Sequence, residues 1–253
     1  MLRLQNIGLT QGAVTDLQAW QAIVDGMPTF PGQVTEAKRQ FKLKNTRSNP
    51  AFQVVRSALT QMHGELIRCA YCEDSVADEV EHIYPKDLYP ERVFVWENYT
   101  YACGPCNGPK SNRFAIFLAT DGSEVDISPP KRKPQGWIPA RPPKGDALLI
   151  DPRNENPLDF LWLDLGASCR IDPKMGLSRR ATRRAEYPHF VLNGPFAAER
   201  ANDHGFWQSL SPADIRNRKK MAKNRCTGRR TPVKARLWND QSGLGAQFGW
   251  RRF

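Results

Sequence analysis

Residues 69–112 read CAYCEDSVADEVEHIYPKDLYPERVFVWENYTYACGPCNGPKSN, a segment that contains two Cys-x-x-Cys pairs. Cys69 and Cys72 form the first pair, and Cys103 and Cys106 form the second pair after 30 intervening residues. Each pair can present two thiolates from one tight turn, and four thiolates complete a tetrahedral zinc site. Such a site leaves no open coordination position, so the spacing predicts a structural zinc ion rather than a catalytic one.

The same cysteines have two other interpretations, a pair of disulfides or a redox centre. The first residues, MLRLQNIGLTQGAV, contain neither the continuous apolar region nor the cleavage site of a secretory signal, so we expect a cytoplasmic protein. Thiols stay reduced in the cytosol, which disfavours disulfides, and the repeated pair spacing disfavours a redox centre. We interpret Cys169 and Cys226, which stand outside the two pairs, as ordinary thiols.

The residues between and after the two pairs carry further chemistry. Glu81 and His82 stand directly before an Ile-x-Pro sequence, and Asn98 precedes a second segment rich in strand-forming residues. Asn107 and Lys110 follow the second cysteine pair. Residues with carboxylate, imidazole, amide and ammonium groups therefore occur in a fixed order inside the predicted zinc frame.

This order resembles the HNH endonuclease family, in its branch that carries zinc knuckles, over residues 69–113. The resemblance implies an α+β fold with a ββα-metal core, in which two antiparallel strands are followed by a helix after the second knuckle. Many relatives have Asp where this chain has Glu81, and many have His where it has Asn107. More loosely, the layout resembles the HNH nuclease component of Septu-type antiphage defence systems, which includes a later Leu-Ile-Asp-Pro segment.

The resemblance also implies a role for each residue. His82 would be the general base, while Glu81 and Asn107 would supply oxygen ligands to a catalytic Mg²⁺ or Mn²⁺ ion. Asn98 would tie the two strands together and orient the histidine, and Lys110 would contact a substrate phosphate. Four of these residues also have a structural interpretation: His82 as a satisfied structural histidine, Glu81 as part of a surface ion pair, Asn98 as the cap of a turn and Lys110 as a solvated surface lysine.

We expect residues 1–67 to form a helical support for this core. Apolar residues recur at helical spacing in 16–24, and a weaker, charged helix is expected in 35–44. Asn49-Pro50 is a typical helix start, and an apolar stripe follows it at Phe52, Val55, Leu59, Met62 and Leu66. His63 lies off that stripe, which predicts an exposed side chain.

Beyond the nuclease-like core at 68–116, the sequence predicts a proline-rich linker with short strands over 117–175. Six of the 20 prolines fall in 128–145, which favours an extended or irregular surface segment. The apolar segments 147–150 and 160–165 are expected to be short strands.

The positive charge of the chain is concentrated at its end. The formal net charge is +11, and residues 176–253 hold 17 basic and 5 acidic residues. This basic C-terminal region favours a polyanionic partner such as DNA, and Trp207, Trp238 and Trp250 could stack on unpaired bases or pack in a small core. Its lack of periodicity equally favours a poorly ordered segment.

Taken together, these patterns predict a metal-dependent HNH endonuclease that hydrolyses DNA. The His82→Ala variant should then lose DNA cleavage while keeping its zinc content and its fold. The competing interpretation is a non-catalytic zinc-ribbon module that binds nucleic acid or a protein. A third interpretation is an effector subunit that is silent until an ATPase partner releases it. The chain lacks a run of about 18 apolar residues, so no membrane partner is expected.

Overall fold

Three helices begin the chain and pack on one another. The computed structural model describes residues 1–73, 77, 79–163 and 171–188. Helix α1 spans Gln11–Asp25, α2 spans Phe30–Lys44 and α3 spans Pro50–Met62, and α1 packs against both of the others. All three helices expected from the sequence are therefore present in the described part of the chain.

The side-chain oxygens of Thr10, Thr29 and Asn49 cap these helices, because each accepts a hydrogen bond from the backbone N–H three residues later. A cap of this kind satisfies one of the unpaired N–H groups of the first helical turn. The caps at Thr10 and Thr29 start α1 and α2 several residues earlier than apolar spacing alone predicts. The start of α3 at Asn49-Pro50 is confirmed.

The apolar stripe of α3 is buried from Phe52 to Met62, as its spacing predicts. Leu66 lies beyond the end of the helix and is 49% exposed, so it is not part of this stripe. The expectation of an exposed His63 is wrong. Its ring is partly buried against Tyr101, and its Nε2 atom has no solvent contact.

A two-stranded antiparallel sheet and a short helix follow the helical segment. Strand β1 spans Glu79–His82, β2 spans Tyr99–Ala102 and helix α4 spans Gly104–Lys110. The register places Glu81 opposite Thr100 and His82 opposite Tyr99. Both strands are four residues long; β2 consists mainly of Tyr and Thr, as expected for a strand-forming segment, whereas Val80 is the one such residue of β1.

An aromatic core joins this sheet to the N-terminal helices. The ring of Tyr99 in β2 lies 6.1 Å from Phe41 of α2 and 6.0 Å from Phe52 of α3. Phe94, in the connection between the strands, lies 5.5 Å edge-on from Trp20 of α1. Burial of these large rings adds apolar contact between the helices and the sheet segment.

Two further small sheets follow α4. Strands β3 (Ala115–Leu118), β4 (Glu124–Asp126) and β5 (Gly145–Ala147) form an antiparallel sheet in the order β4-β3-β5. Strands β6 (Leu161–Leu163) and β7 (Ile171–Pro173) form a two-stranded sheet. The strand expected in 160–165 is confirmed by β6.

The other segment expected to be a strand, 147–150, is buried but mostly not in a strand. Strand β5 ends at Ala147, and Leu148, Leu149 and Ile150 follow it as fully buried residues. Arg153, just beyond, is 2% exposed and donates hydrogen bonds to the carbonyl of Tyr99 (3.0 Å) and to Oδ1 of Asn6 (3.1 Å). This buried guanidinium ties the N-terminal segment to the start of β2.

Residues 179–188 are helical, and residues 164–170 and 189–253 lie outside the described part of the chain. The expectations for Trp207, Trp238, Trp250, Cys169 and Cys226, and for most of the basic C-terminal region, therefore stay predictions. Helices and small antiparallel sheets make the described residues a mixed α+β structure. None of the helices described is both long enough and apolar enough to cross a membrane.

Candidate functional site

The four paired cysteines converge on one point. The Sγ atoms of Cys69, Cys72, Cys103 and Cys106 all lie within 4.8 Å of one another, and those of Cys72 and Cys103 are 3.8 Å apart. A tetrahedral zinc ion with Zn–S bonds of about 2.3 Å holds its sulfurs about 3.8 Å apart. The four thiols, none of them in a disulfide, therefore form a cluster that could hold a metal ion such as zinc.

Short backbone connections position this cluster. Ala70 N–H donates to the carbonyl of Tyr101 (2.9 Å), which joins the first cysteine turn to β2. Cys103 is the N-cap residue of α4, and Cys106 lies in the first turn of the same helix. Hydrogen bonds with Cys69 and Cys72, together with burial, raise the pKa of the Cys106 thiol. A bound dication removes this obstacle to ionisation because it favours the thiolate form.

Strand β1 divides the acidic and imidazole side chains between two faces. Successive residues of a strand point in opposite directions, so Glu79 and Glu81 share one face while Val80 and His82 share the other. The face with the glutamates meets helix α4, and the face with His82 meets the aromatic core. The predicted metal ligand and the predicted general base are therefore neighbours in sequence on opposite sides of the sheet.

His82 is buried, at 2% exposure, with its ring 4.4 Å edge-on from Phe41 and 5.2 Å from Tyr99. Its Nε2 atom lies 3.0 Å from the carbonyl oxygen of Val93. A carbonyl can only accept, so the neutral ring carries its proton on Nε2 and leaves the lone pair on Nδ1. Burial, followed by the charge of Lys86, holds the pKa of His82 well below its usual range, which keeps the ring neutral.

Asn98 ties together the connection between the strands. Its Oδ1 accepts from Tyr84 N–H (2.7 Å), and its Nδ2 donates to the carbonyls of Tyr84 (3.0 Å) and Arg92 (2.9 Å). The backbone N–H of Ile83 donates in turn to the carbonyl of Asn98 (2.9 Å). These bonds fix the backbone just after His82 and just before Val93. The orienting role that the resemblance implies for Asn98 stays a prediction.

Lys110 is fully buried at the end of α4, and its ammonium contacts protein oxygens. Nζ lies 2.5 Å from Oε1 of Glu81 and 2.7 Å from the carbonyl of His82. The sequence placed Lys110 near a substrate phosphate, but the observed position gives it no exposure to solvent. In this arrangement Lys110 holds the carboxylate of β1 against α4, and the phosphate contact stays a prediction.

Asn107 occupies the same side of α4, one turn before Lys110. Its Nδ2 donates to Oε2 of Glu79 at 2.5 Å. Sequence reasoning did not assign Glu79 to the site, although the alternation of β1 indicates that it shares a face with Glu81. The polar face between β1 and α4 thus contains two carboxylates, one amide and one ammonium.

The structure therefore brings all the predicted site residues to one strand and its surroundings. On the α4 side Lys110 contacts Glu81 and Asn107 contacts Glu79, while His82 and Asn98 lie on the side of the strand connection. Carboxylate and amide oxygens are the ligands that Mg²⁺ and Mn²⁺ prefer, and a neutral imidazole can accept a proton near pH 7.

Comparison with known proteins gives one similarity. The chain is 38% identical over 91 residues to the Septu protein PtuB of Bacillus thuringiensis, and the match covers 33% of this chain and 35% of that protein. The chain thus corresponds to about a third of the length of this relative. No protein-family model and no solved structure matches the chain. The similarity supports the likeness to Septu-type defence proteins drawn from the sequence.

Proposed function

We propose that this protein is a metal-dependent HNH endonuclease that hydrolyses phosphodiester bonds in DNA, with β1, β2 and α4 as its ββα-metal core. The observation that carries the proposal is the setting of His82. Its Nε2 is held by the Val93 carbonyl, the strand connection that supplies this carbonyl is fixed by Asn98, and Glu81 is the preceding residue. A purely structural zinc module has no need for a neutral, oriented imidazole in the same strand as Glu81.

His82 is the general base in this proposal. Proton transfer from water requires an unprotonated nitrogen, and Nδ1 holds the lone pair when Nε2–H donates to Val93. The depressed pKa keeps this nitrogen unprotonated throughout the neutral range. Because the ring is 2% exposed, the reaction requires that bound substrate leave a water molecule beside Nδ1.

Glu81 and Asn107, with Glu79 beside them, would hold the catalytic Mg²⁺ or Mn²⁺ ion. Asn107 donates to Glu79 through Nδ2, and no hydrogen bond from the described residues occupies its amide oxygen. A bound divalent cation supplies charge stabilisation to the phosphoryl oxygens and to the leaving oxygen. The ammonium of Lys110 already binds the Glu81 carboxylate. A metal ion would compete with this ion pair, so the affinity for the metal depends on the strength of the pair.

The similarity to PtuB and the Septu-type layout of the sequence support a role in antiphage defence. We also propose, on the sequence layout alone, that an ATPase partner controls activity. The near-complete burial of His82 and the closed Glu81–Lys110 pair fit a chain that is silent until a partner acts. Cleavage that requires the partner would support this regulation.

Plasmid cleavage tests the proposal. Wild-type protein, assayed alone and together with the candidate ATPase partner, should nick or linearise supercoiled DNA only when Mg²⁺ or Mn²⁺ is added. His82→Ala should lose this activity while keeping its zinc content, and His82→Asn should do the same with less disturbance of the packing around Phe41. His63→Ala is the matched control, since His63 is also partly buried but lies against Tyr101.

Full activity in both His82 variants would contradict the mechanism. Metal-independent DNA binding without cleavage, with and without candidate partners, would instead favour the zinc-ribbon module.

A further inference from the structure

Three lysines and two carboxylates lie close enough to influence one another electrostatically around β1. Lys110 pairs with Glu81 and Lys38 pairs with Asp87, each with an N–O distance of 2.5 Å. Lys86 is the third lysine, and it makes no hydrogen bond or ion pair within the described residues. Each of the two carboxylates is thus paired with another lysine, and the ammonium of Lys86 is the positive charge of this group without a paired carboxylate.

Lys86 lies close to the imidazole. Its Nζ is 5.4 Å from the ring centroid of Phe41, and the same ring is 4.4 Å from the ring of His82. Lys86 is the charge that most strongly lowers the pKa of His82, and Glu81 is the carboxylate that most strongly raises the pKa of Lys86. The ammonium thus lies within electrostatic reach of both the proposed base and the proposed metal ligand.

The backbone holds Lys86 in this position. The carbonyl of Pro85 accepts hydrogen bonds from the N–H groups of Leu88 (2.9 Å) and Tyr89 (2.8 Å), which closes a turn around Lys86. The side chain of Lys86 is half-buried, and burial lowers its pKa. A half-buried ammonium without a protein acceptor is costly unless an anion or water meets it.

We propose that Lys86 binds a non-bridging oxygen of the DNA phosphate that lies beside His82. The inference rests on the proposed function, and it assigns to Lys86 the phosphate contact that the sequence suggested for Lys110. The ammonium of Lys110 is enclosed by Glu81 and the His82 carbonyl, whereas that of Lys86 keeps its donors for an incoming anion. A phosphodiester is the anion that a nuclease brings to this position.

The salt dependence of DNA binding tests the inference separately from catalysis. Binding of a fluorescent duplex is measured without added Mg²⁺ or Mn²⁺ over a series of salt concentrations, for wild type and Lys86→Met. Each neutralised phosphate contributes close to one to the slope of log K against log salt, so the slope should fall in magnitude by about one. Lys44→Met is the matched control, since Lys44 also lies over a ring, that of Trp20 at 5.1 Å. It should leave the slope unchanged.

An unchanged slope in a folded Lys86→Met variant would overturn the inference, and so would an equal fall in the Lys44→Met control. Lys86→Arg should restore the slope because it keeps a cationic donor. Lys86→Gln replaces Lys86→Met if the methionine variant does not fold by circular dichroism. If the slope falls in Lys86→Met as expected but the wild-type protein never cleaves DNA, the phosphate contact stands while the proposed nuclease activity fails.

Discussion

The ammonium of Lys110 lies 2.5 Å from Oε1 of Glu81, in a position with no solvent exposure. The pair joins the last residue of α4 to the middle of β1 across 28 intervening residues of sequence. Taking both charges out of water is costly, and the attraction between the two charges offsets this cost only while both are present. The pair therefore works both as a structural contact and as a restraint on the proposed metal ligand.

Lys110→Met should destabilise the protein strongly. It leaves a buried carboxylate without its counter-charge, which costs about 3–5 kcal/mol in the free energy of unfolding. Urea denaturation followed by circular dichroism measures the change. Lys42→Met, on the exposed side of α2, is the control and should change the free energy by less than about 0.5 kcal/mol.

The double variant Glu81→Gln with Lys110→Met should recover a large part of this loss because it removes both charges. A Lys110→Met variant as stable as wild type would show that the Glu81–Lys110 pair contributes nothing to the free energy of unfolding.

Asn98→Ala should also lower the free energy of unfolding, by about 2–3 kcal/mol, because it leaves buried backbone groups of Tyr84 and Arg92 without partners. Asn98→Asp keeps the acceptor for the Tyr84 N–H but loses both donors, so it should not rescue stability. Asn112→Ala serves as the comparison, since the Asn112 side chain makes no hydrogen bond within the described residues. Equal stability of the Asn98 and Asn112 variants would contradict the proposed role.

The cysteine cluster should bind one zinc ion per chain, as measured by elemental analysis of the purified protein. Cys69→Ser or Cys106→Ser should remove most of this zinc, because a hydroxyl is a poor ligand where zinc requires a thiolate. Cys226→Ser, at a position outside the described residues, should keep it. A purified wild-type chain with no zinc and with two disulfides would overturn the assignment.

The protein should lose stability on acidification partly through His63. Burial, and then the charge of Arg68, lower the pKa of His63 to about 4, whereas an unfolded histidine titrates near 6.5. The unfolded chain therefore binds a proton first, and the stabilising effect present above pH 6.5 is lost as the pH falls towards 4. Denaturation across this range should show a steeper loss for wild type than for His63→Asn. Parallel curves would contradict the prediction.

Much of the local structure follows from short-range signals in the sequence. The cap at Asn49 and the apolar stripe of α3 depend on residues within a few positions of one another; the cap is confirmed, and the stripe is confirmed from Phe52 to Met62. The Cys-x-x-Cys spacing likewise places two sulfurs in each turn, and the four thiols meet as predicted. The predicted starts of α1 and α2 lie several residues too late because a threonine cap, rather than apolar spacing, sets where each helix begins.

The sequence by itself identified the four cysteines whose sulfurs converge, and it predicted site roles for Glu81, His82, Asn98, Asn107 and Lys110. Only the tertiary structure decided how they face one another. The alternation of β1 sends Glu81 towards α4 and His82 towards the aromatic core. The same alternation directs Glu79 to Asn107, and among the described residues Lys110 has protein acceptors whereas Lys86 has none. These relationships depend on which element packs on each face of a strand, and that choice is made by burial across distant segments rather than by local spacing.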